Sequence, residues 1–340
     1  MLNVQQSIFL DIVQSFITKQ NPTLRNANWP ELYIIAKKQA LSGLLGYYLG
    51  RVPEARCPTN LAIQLKNDYY ANIAQSVLQE NAYENLSIIL NDNCIDHLYF
   101  RGAIMRKFYP IPDLRSMSNI DVLVKSDCVS QVCKLLEAEK FELKQYNSGI
   151  CSASKSTVTF NIHPSLSIPS KHGNPVMPDA GFQNAYMKNK NFFVLDDSYH
   201  LAYIIGNIAR YITTQRCSIR PICDVAVFSY ANKDNIDWEK VEYLLKEHNL
   251  WDFAVFLFSC CTEYFFHQSY VPYKDKANTE IICEFLDFLL QNGAQINSGA
   301  AIDTQHTSLL KTTQNRIADI FSKKTSQDKN LIDFLKKIGL

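Results

Sequence analysis

The chain has 340 residues, more than one ordinary globular domain needs, and its 47% hydrophobic and 20% charged content excludes a disordered protein. Its 34 basic residues against 33 acidic ones leave a net charge of +1, so no global field is available to grip a nucleic-acid backbone. The most apolar window, DFAVFLFSCCTEYFF at 252–266, is too short for a membrane span and holds Glu263, which leaves a buried helix.

In chain order, the N-terminus (MLNVQQSIFLDIVQSF) has no basic flank and carries Asp11 inside its apolar stretch, which predicts an amphipathic helix with Ile8, Ile12, Val13, Phe16 and Ile17 on one face. Trp29-Pro30 opens a second helix, with Glu31 in its first turn, running through LYIIAKKQALSGLLGYYL until Pro53 and Pro58 break it. A long third helix is expected over about 61–91, with Leu61, Ile63, Leu65, Tyr69, Ile73 and Val77 at roughly helical spacing.

The character changes near residue 94. Strand-like runs at 95–100, 119–124, 141–146 and 157–163 alternate with a short helix over 103–109 and a longer one over about 127–140, an α/β unit. PSLSIPSKHGNPVMP then reads as loop. From Ser198 five segments carry helical periodicity: SYHLAYIIGNIARYI, PICDVAVFSYA, WEKVEYLLKEH, DFAVFLFSCCTEYFF and TEIICEFLDFLL. A polar tail ends in LIDFLKKIGL. Ten cysteines, among them Cys128 and Cys133, Cys217 and Cys223, and Cys260 and Cys261, lack the spacing of a metal site. Reduced thiols in a cytoplasm are the expectation.

The polar alternation inside two of the strands marks the candidate site. Along 119–124, Ile120, Val122 and Val124 share the face a core needs, which aims Asn119 and Asp121 together at the other face. Along 157–163, Val158, Phe160 and Ile162 point inward while Thr159, Asn161 and His163 point out. If these strands are neighbours, Asn161 approaches the Asn119/Asp121 pair. Upstream, YFRGAIM passes from strand to helix through Arg101 and Gly102, where a glycine admits close approach of a phosphate and Ala103 follows with the first helical N–H groups.

This combination resembles the nucleotidyltransferase superfamily, with its polymerase-beta-like fold, and most closely the bacterial family of uncharacterised nucleotidyltransferases. That family carries Leu-Lys-Gly, then Tyr-Pro, then Arg-x-Met-x-Asp-Ile-Asp-Leu-Leu-Val. Here the matching residues are Phe100-Arg101-Gly102, Tyr109-Pro110 and Arg115-Ser116-Met117-Ser118-Asn119-Ile120-Asp121-Val122-Leu123-Val124. The family's acidic-apolar-His triplet on a later strand is similar to Asn161-Ile162-His163, and a downstream helix with Arg and Asp is similar to Arg220-Pro221-Ile222-Cys223-Asp224. The strong block covers about 99–124, with weaker likeness over 30–255.

The resemblance implies three acidic residues holding two magnesium ions that activate an acceptor hydroxyl and stabilise the α-phosphoryl group as pyrophosphate leaves. Magnesium demands hard, charged oxygen ligands in octahedral array. The sequence departs at two of those three positions, with Asn119 and Asn161 where acids are expected, and only Asp121 remains. At ~4 Å and an effective dielectric of ~20, a unit charge against a dication is worth several kcal/mol, so metal binding is sharply weakened. Rate falls tenfold per ~1.4 kcal/mol, which puts two-metal catalysis down by orders of magnitude. Asp113, Asp127 and Glu142 are the nearby acids that could compensate.

Asp121 is the first candidate metal ligand, with Asn119 the second. Asn119 and Asn161 are either residual ligands of the site or relics of it. Arg101 and Arg115 either meet phosphates or hold carboxylates such as Asp113. Arg101 keeps the charge of the family's Lys but as a planar fork. His163 reads as a structural histidine, Asp224 as a residue that caps its helix or pairs with Arg220, and Asp196 and Asp197 as N-terminal helix charges.

The expected architecture is α+β: a helical region over 1–93, a small nucleotidyltransferase-like mixed sheet with helices over 94–170, and a helical region over 171–340. Two functions follow from the resemblance. One is magnesium-dependent transfer of a nucleoside monophosphate from a nucleoside triphosphate to an unknown hydroxyl acceptor, a small molecule or a protein. The other is a catalytically degenerate module that binds a nucleotide or a protein, with magnesium held weakly or lost. A purely helical interaction protein conflicts with the alternation in NIDVLV and TVTFNIH.

Overall fold

Asn3 caps the first helix, α1 (Val4–Ile17): its side chain accepts the Gln6 amide at 2.8 Å, and the Gln6 side chain accepts the Asn3 amide at 2.7 Å. Phe9, Ile12, Val13 and Phe16 form its buried face. The computed structural model describes residues 2–52, 56–168, 176–213, 218–267, 270–273 and 279–292.

The single helix predicted after Trp29 is two, α2 (Trp29–Lys38) and α3 (Ser42–Leu49). Ala40 adopts a left-handed φ of 56°, and the Leu41 amide reaches back to the Ala36 carbonyl at 2.8 Å. This closure usually carries glycine, and with alanine in its place the break leaves little trace in the sequence. Gln39, fully buried at this joint, donates to the Leu289 carbonyl at 3.0 Å and accepts the Ile219 amide at 2.8 Å. It thereby ties two distant helices to the turn.

The long helix α4 (Thr59–Asp92) forms as expected, but its exposed side is not where apolar spacing placed it. Leu65, Leu86 and Leu90 are buried, whereas Ile63 and Val77 are 55% and 51% exposed.

Strands follow at β1 (His97–Phe100), β2 (Ile120–Val124), β3 (Glu142–Gln145), β4 (Cys151–Lys155), β5 (Val158–His163), β6 (Ala185–Asn189) and β7 (Phe192–Leu195). They build one sheet in the order β3-β4-β5-β2-β1-β7-β6, parallel at β2/β5 and β1/β7 and antiparallel elsewhere. Three of these strands escape the periodicity. CSASK has too few large apolar residues to announce β4, and the exposed edge β6 and its partner β7 come from beyond residue 170. Between strands lie α5 (Gly102–Met105), which ends in a 3-10 turn at Arg106–Phe108, and α6 (Val129–Ala138).

The C-terminal segments form α7 (Asp197–Thr213), α8 (Arg220–Ala231), α9 (Trp238–Glu247), α10 (Trp251–Cys261) with a π turn at Thr262–Phe266, and α11 (Thr279–Asn292). LIDFLKKIGL lies outside the described residues. Asp196 accepts the Tyr199 amide at 3.0 Å, so it serves the N-terminus of α7 as expected.

Both faces of the central strands are covered. Ile120, Val122, Val124, Phe160 and Ile162 pack with α6 and the end of α4 in one core. Leu98, Phe100 and Leu123 belong to a second, larger core shared by the N- and C-terminal helices. The face carrying Asp121 is therefore roofed by helices, and the site lies beneath that roof. No helix among the described residues is long and apolar enough to cross a membrane.

Candidate functional site

The parallel pairing of β2 with β5 sets Asp121 opposite Asn161 and Leu123 opposite His163, so the strands are neighbours as the alternation required. Asp121 is 6% exposed, and a single oxygen, Oδ1, accepts from three side chains: Asn119 Nδ2 at 2.9 Å, Asn161 Nδ2 at 3.3 Å and His163 Nε2 at 2.9 Å. A carboxylate only accepts, so His163 carries its proton on Nε2. The other oxygen, Oδ2, faces Arg101 Nη1 at 3.7 Å. Burial disfavours the Asp121 charge, but Arg101 together with the His163 and Asn161 hydrogen bonds outweighs it, and the carboxyl stays below its ordinary range. His163 is thus part of the site, as a donor to its carboxylate.

Arg101 sits at the strand-to-helix turn with φ 53° and ψ −128°, a conformation that costs a non-glycine residue about 1–3 kcal/mol. The α7 helix restrains it. His200 Nε2 accepts the Arg101 backbone amide at 3.4 Å, and burial drives the His200 pKa down to about 3, so this ring remains a neutral acceptor. Farther along the same helix, Asn207 Oδ1 and the Tyr203 hydroxyl accept from Arg101 Nη2 at 2.7 and 3.1 Å. Nothing in the strand motif foretold these partners. Their signal lies in α7 itself, where Tyr203, Asn207 and Tyr211 recur every four residues along a segment that is apolar but for Arg210.

Arg115 holds a carboxylate, but not Asp113. It makes a bidentate pair with Asp224, Nη2 to Oδ2 at 2.5 Å and Nε to Oδ1 at 3.1 Å, and the Tyr109 hydroxyl donates to the same Oδ1 at 2.8 Å. Burial works against the Arg115 charge, yet Asp224 more than offsets it and raises the pKa. Asp113 instead pairs with Arg106 at 3.2 Å. Asp224 neither caps α8 nor bonds Arg220, because it sits one turn into the helix facing the Arg115 loop. Arg220 Nη1 donates to the Ser116 carbonyl and hydroxyl at 2.9 and 3.0 Å.

Gly102 packs where a Cβ would lie 2.5 Å from Arg115 Nη1 and 3.1 Å from Met117 Sδ, so its lack of a side chain seats the Arg115–Asp224 pair. Ala103 turns into the core below the sheet and does not line the cleft. A cleft of about 170 Å³ opens between this turn, the loop before β2, and helices α7 and α8. Arg101, Arg115 and Arg220 line it together with Asp121, Asp224 and Asn119, while Met105, Met117, Ile204 and Ile208 supply its apolar wall. Asp113, Asp127 and Glu142 are not among the lining residues, so none of these three supplies the cleft with a further carboxylate.

This donor set does not fit a pair of magnesium ions. One oxygen of Asp121 is occupied by three N–H donors and the other faces a guanidinium, while Asn119 and Asn161 present nitrogen to it. No group of three or more His, Cys, Asp and Glu side chains able to hold a metal occurs among the described residues.

No curated protein and no solved structure matches the chain. A family model described as uncharacterised nucleotidyltransferase matches residues 25–266, a span that holds every strand among the described residues, the strained Arg101 turn and helices α2 to α10. The chain therefore belongs to the uncharacterised nucleotidyltransferase family.

Proposed function

We propose that this nucleotidyltransferase-like protein binds the phosphate end of a nucleoside triphosphate in the cleft without transferring the nucleotidyl group. One observation carries the reading: the sole carboxylate at the family's metal-binding strand position is saturated by Asn119, Asn161, His163 and Arg101. Catalysis by two metals requires free anionic oxygens that can bridge metal and substrate. Oxygens already committed to N–H donors within the protein offer no such bridge, while the arginines around them favour an anionic ligand.

The alternative, magnesium-dependent nucleotidyl transfer to a hydroxyl acceptor, draws support from the intact β2/β5 register, which keeps Asn119, Asp121 and Asn161 together. Under that reading Asp121 is the ligand that remains, and Gly102, Arg101 and Arg115 attend the phosphates.

Incubation with each α-labelled nucleoside triphosphate and magnesium or manganese separates the two. The expected result is nucleotide binding with no label transferred by the natural sequence. Transfer that disappears in Asp121→Ala would establish the enzyme and overturn the proposal.

A further inference from the structure

Resting on the nucleotide-binding reading above, we infer that the cleft takes the polyphosphate as a metal-free anion, with the Arg220 guanidinium as its principal anchor and arginine charge in the place of magnesium. Three guanidinium groups line the cleft against two carboxylates, which leaves one positive charge in excess. That excess belongs to Arg220. Arg115 is matched by Asp224 in a bidentate pair, and Arg101 faces Asp121 at 3.7 Å. Arg220 has no carboxylate within ion-pair distance among the described residues. Among the described residues its Nη1 is engaged with Ser116, and no hydrogen bond engages its Nη2 or Nε.

A planar fork with unused N–H groups, beside a second cation, is the geometry that receives phosphate oxygens. Burial and the charge of Arg115 both press on Arg220 and lower its pKa, and an incoming anion relieves that repulsion. The same charge distribution repels a dication. Every carboxylate in the cleft already has a cation or N–H donors, so magnesium gains no ligand from the protein and serves only to neutralise the phosphates the arginines would otherwise bind.

The test is isothermal titration calorimetry of the full chain with ATP, GTP and inorganic triphosphate as probes, in excess EDTA and again in excess magnesium chloride. Binding in EDTA at least as tight as in magnesium is expected, with inorganic triphosphate displacing the nucleotide. Arg220→Met should weaken binding tenfold or more and Arg220→Lys less. Because Arg220 also holds Ser116, thermal melts check both variants for folding, and the EDTA comparison on the natural sequence stands without any variant. Binding confined to magnesium would overturn metal-free recognition while leaving the nucleotide reading in place. Absence of binding for every probe in both conditions would overturn both.

Discussion

Placing acids at positions 119 and 161 should destabilise this protein before it supports any metal chemistry. In Asn119→Asp and Asn161→Asp, the amide nitrogens now 2.9 and 3.3 Å from Asp121 Oδ1 become carboxylate oxygens, turning two hydrogen bonds into contacts between anions. With charge centres ~4 Å apart and an effective dielectric of ~20, each new pair repels by about 4 kcal/mol. The alternative to repulsion is proton uptake. Holding a carboxyl of ordinary pKa ~3.9 protonated at pH 7 costs about 4 kcal/mol as well, so the two routes set a common ceiling.

Arg101 and His163 offset part of this penalty, yet the double variant still loses a large share of the roughly 5–15 kcal/mol that holds a domain folded. The sign with pH follows from the ceiling, which drops by about 1.4 kcal/mol per unit as the solution becomes more acidic. The variant should therefore recover towards the natural protein near pH 5. Three clustered carboxylates would present the hard, charged oxygens that suit magnesium, so the metal should raise the melting temperature of the double variant and leave that of the natural sequence unchanged. Thermal unfolding at both pH values, with EDTA and with magnesium, reads all three effects. A double variant as stable as the natural protein in EDTA at pH 7, or an equal magnesium response in both, would refute the account of Asp121 as a carboxylate satisfied by neutral donors.

Two further expectations concern the supports of the cleft. Arg115→Met takes from the buried Asp224 carboxylate its ion-pair partner, leaving the Tyr109 hydrogen bond, and should cost about 3–5 kcal/mol in urea unfolding, whereas Arg115→Met combined with Asp224→Leu should regain most of it. Equal losses in the single and double variants would show that packing, not charge pairing, dominates there. His200, with a folded pKa of about 3 against ~6.5 unfolded, makes its full contribution above pH 6.5 and loses it as the solution acidifies towards pH 3. That amounts to about 2 kcal/mol by pH 5 at ~1.4 kcal/mol per unit. His200→Gln, which keeps an acceptor for the Arg101 amide, should flatten this part of the stability profile, and an unchanged slope would remove His200 from the account.

Much of the site was legible because local patterns suffice for it. Strict alternation in NIDVLV and TVTFNIH separated core-facing from site-facing side chains, and one such strand beside another brings Asn161 to Asp121. The same logic failed where a signal is not local. Ala40 breaks a helix with a residue that favours helices, and β4, β6 and β7 carry too little apolar alternation to stand out. On α4, Ile63 and Val77 have core-like chemistry yet face outward, because which side of a long helix is covered depends on what packs there.

By itself, then, the sequence determined the elements whose periodicity is strong, the pair Asn119 and Asp121 on one strand face, and the family those residues resemble. Tertiary structure alone decided how charge is distributed. Asp224 is over a hundred residues from Arg115 and still claims it, Asp113 goes to Arg106, and α7 pins the Arg101 turn through His200 and Asn207. These partners are chosen by distance and burial in space, which their spacing along the chain does not encode. The outcome is that Asp121 has every bond it needs from the protein, while Arg220 keeps charge to offer a ligand.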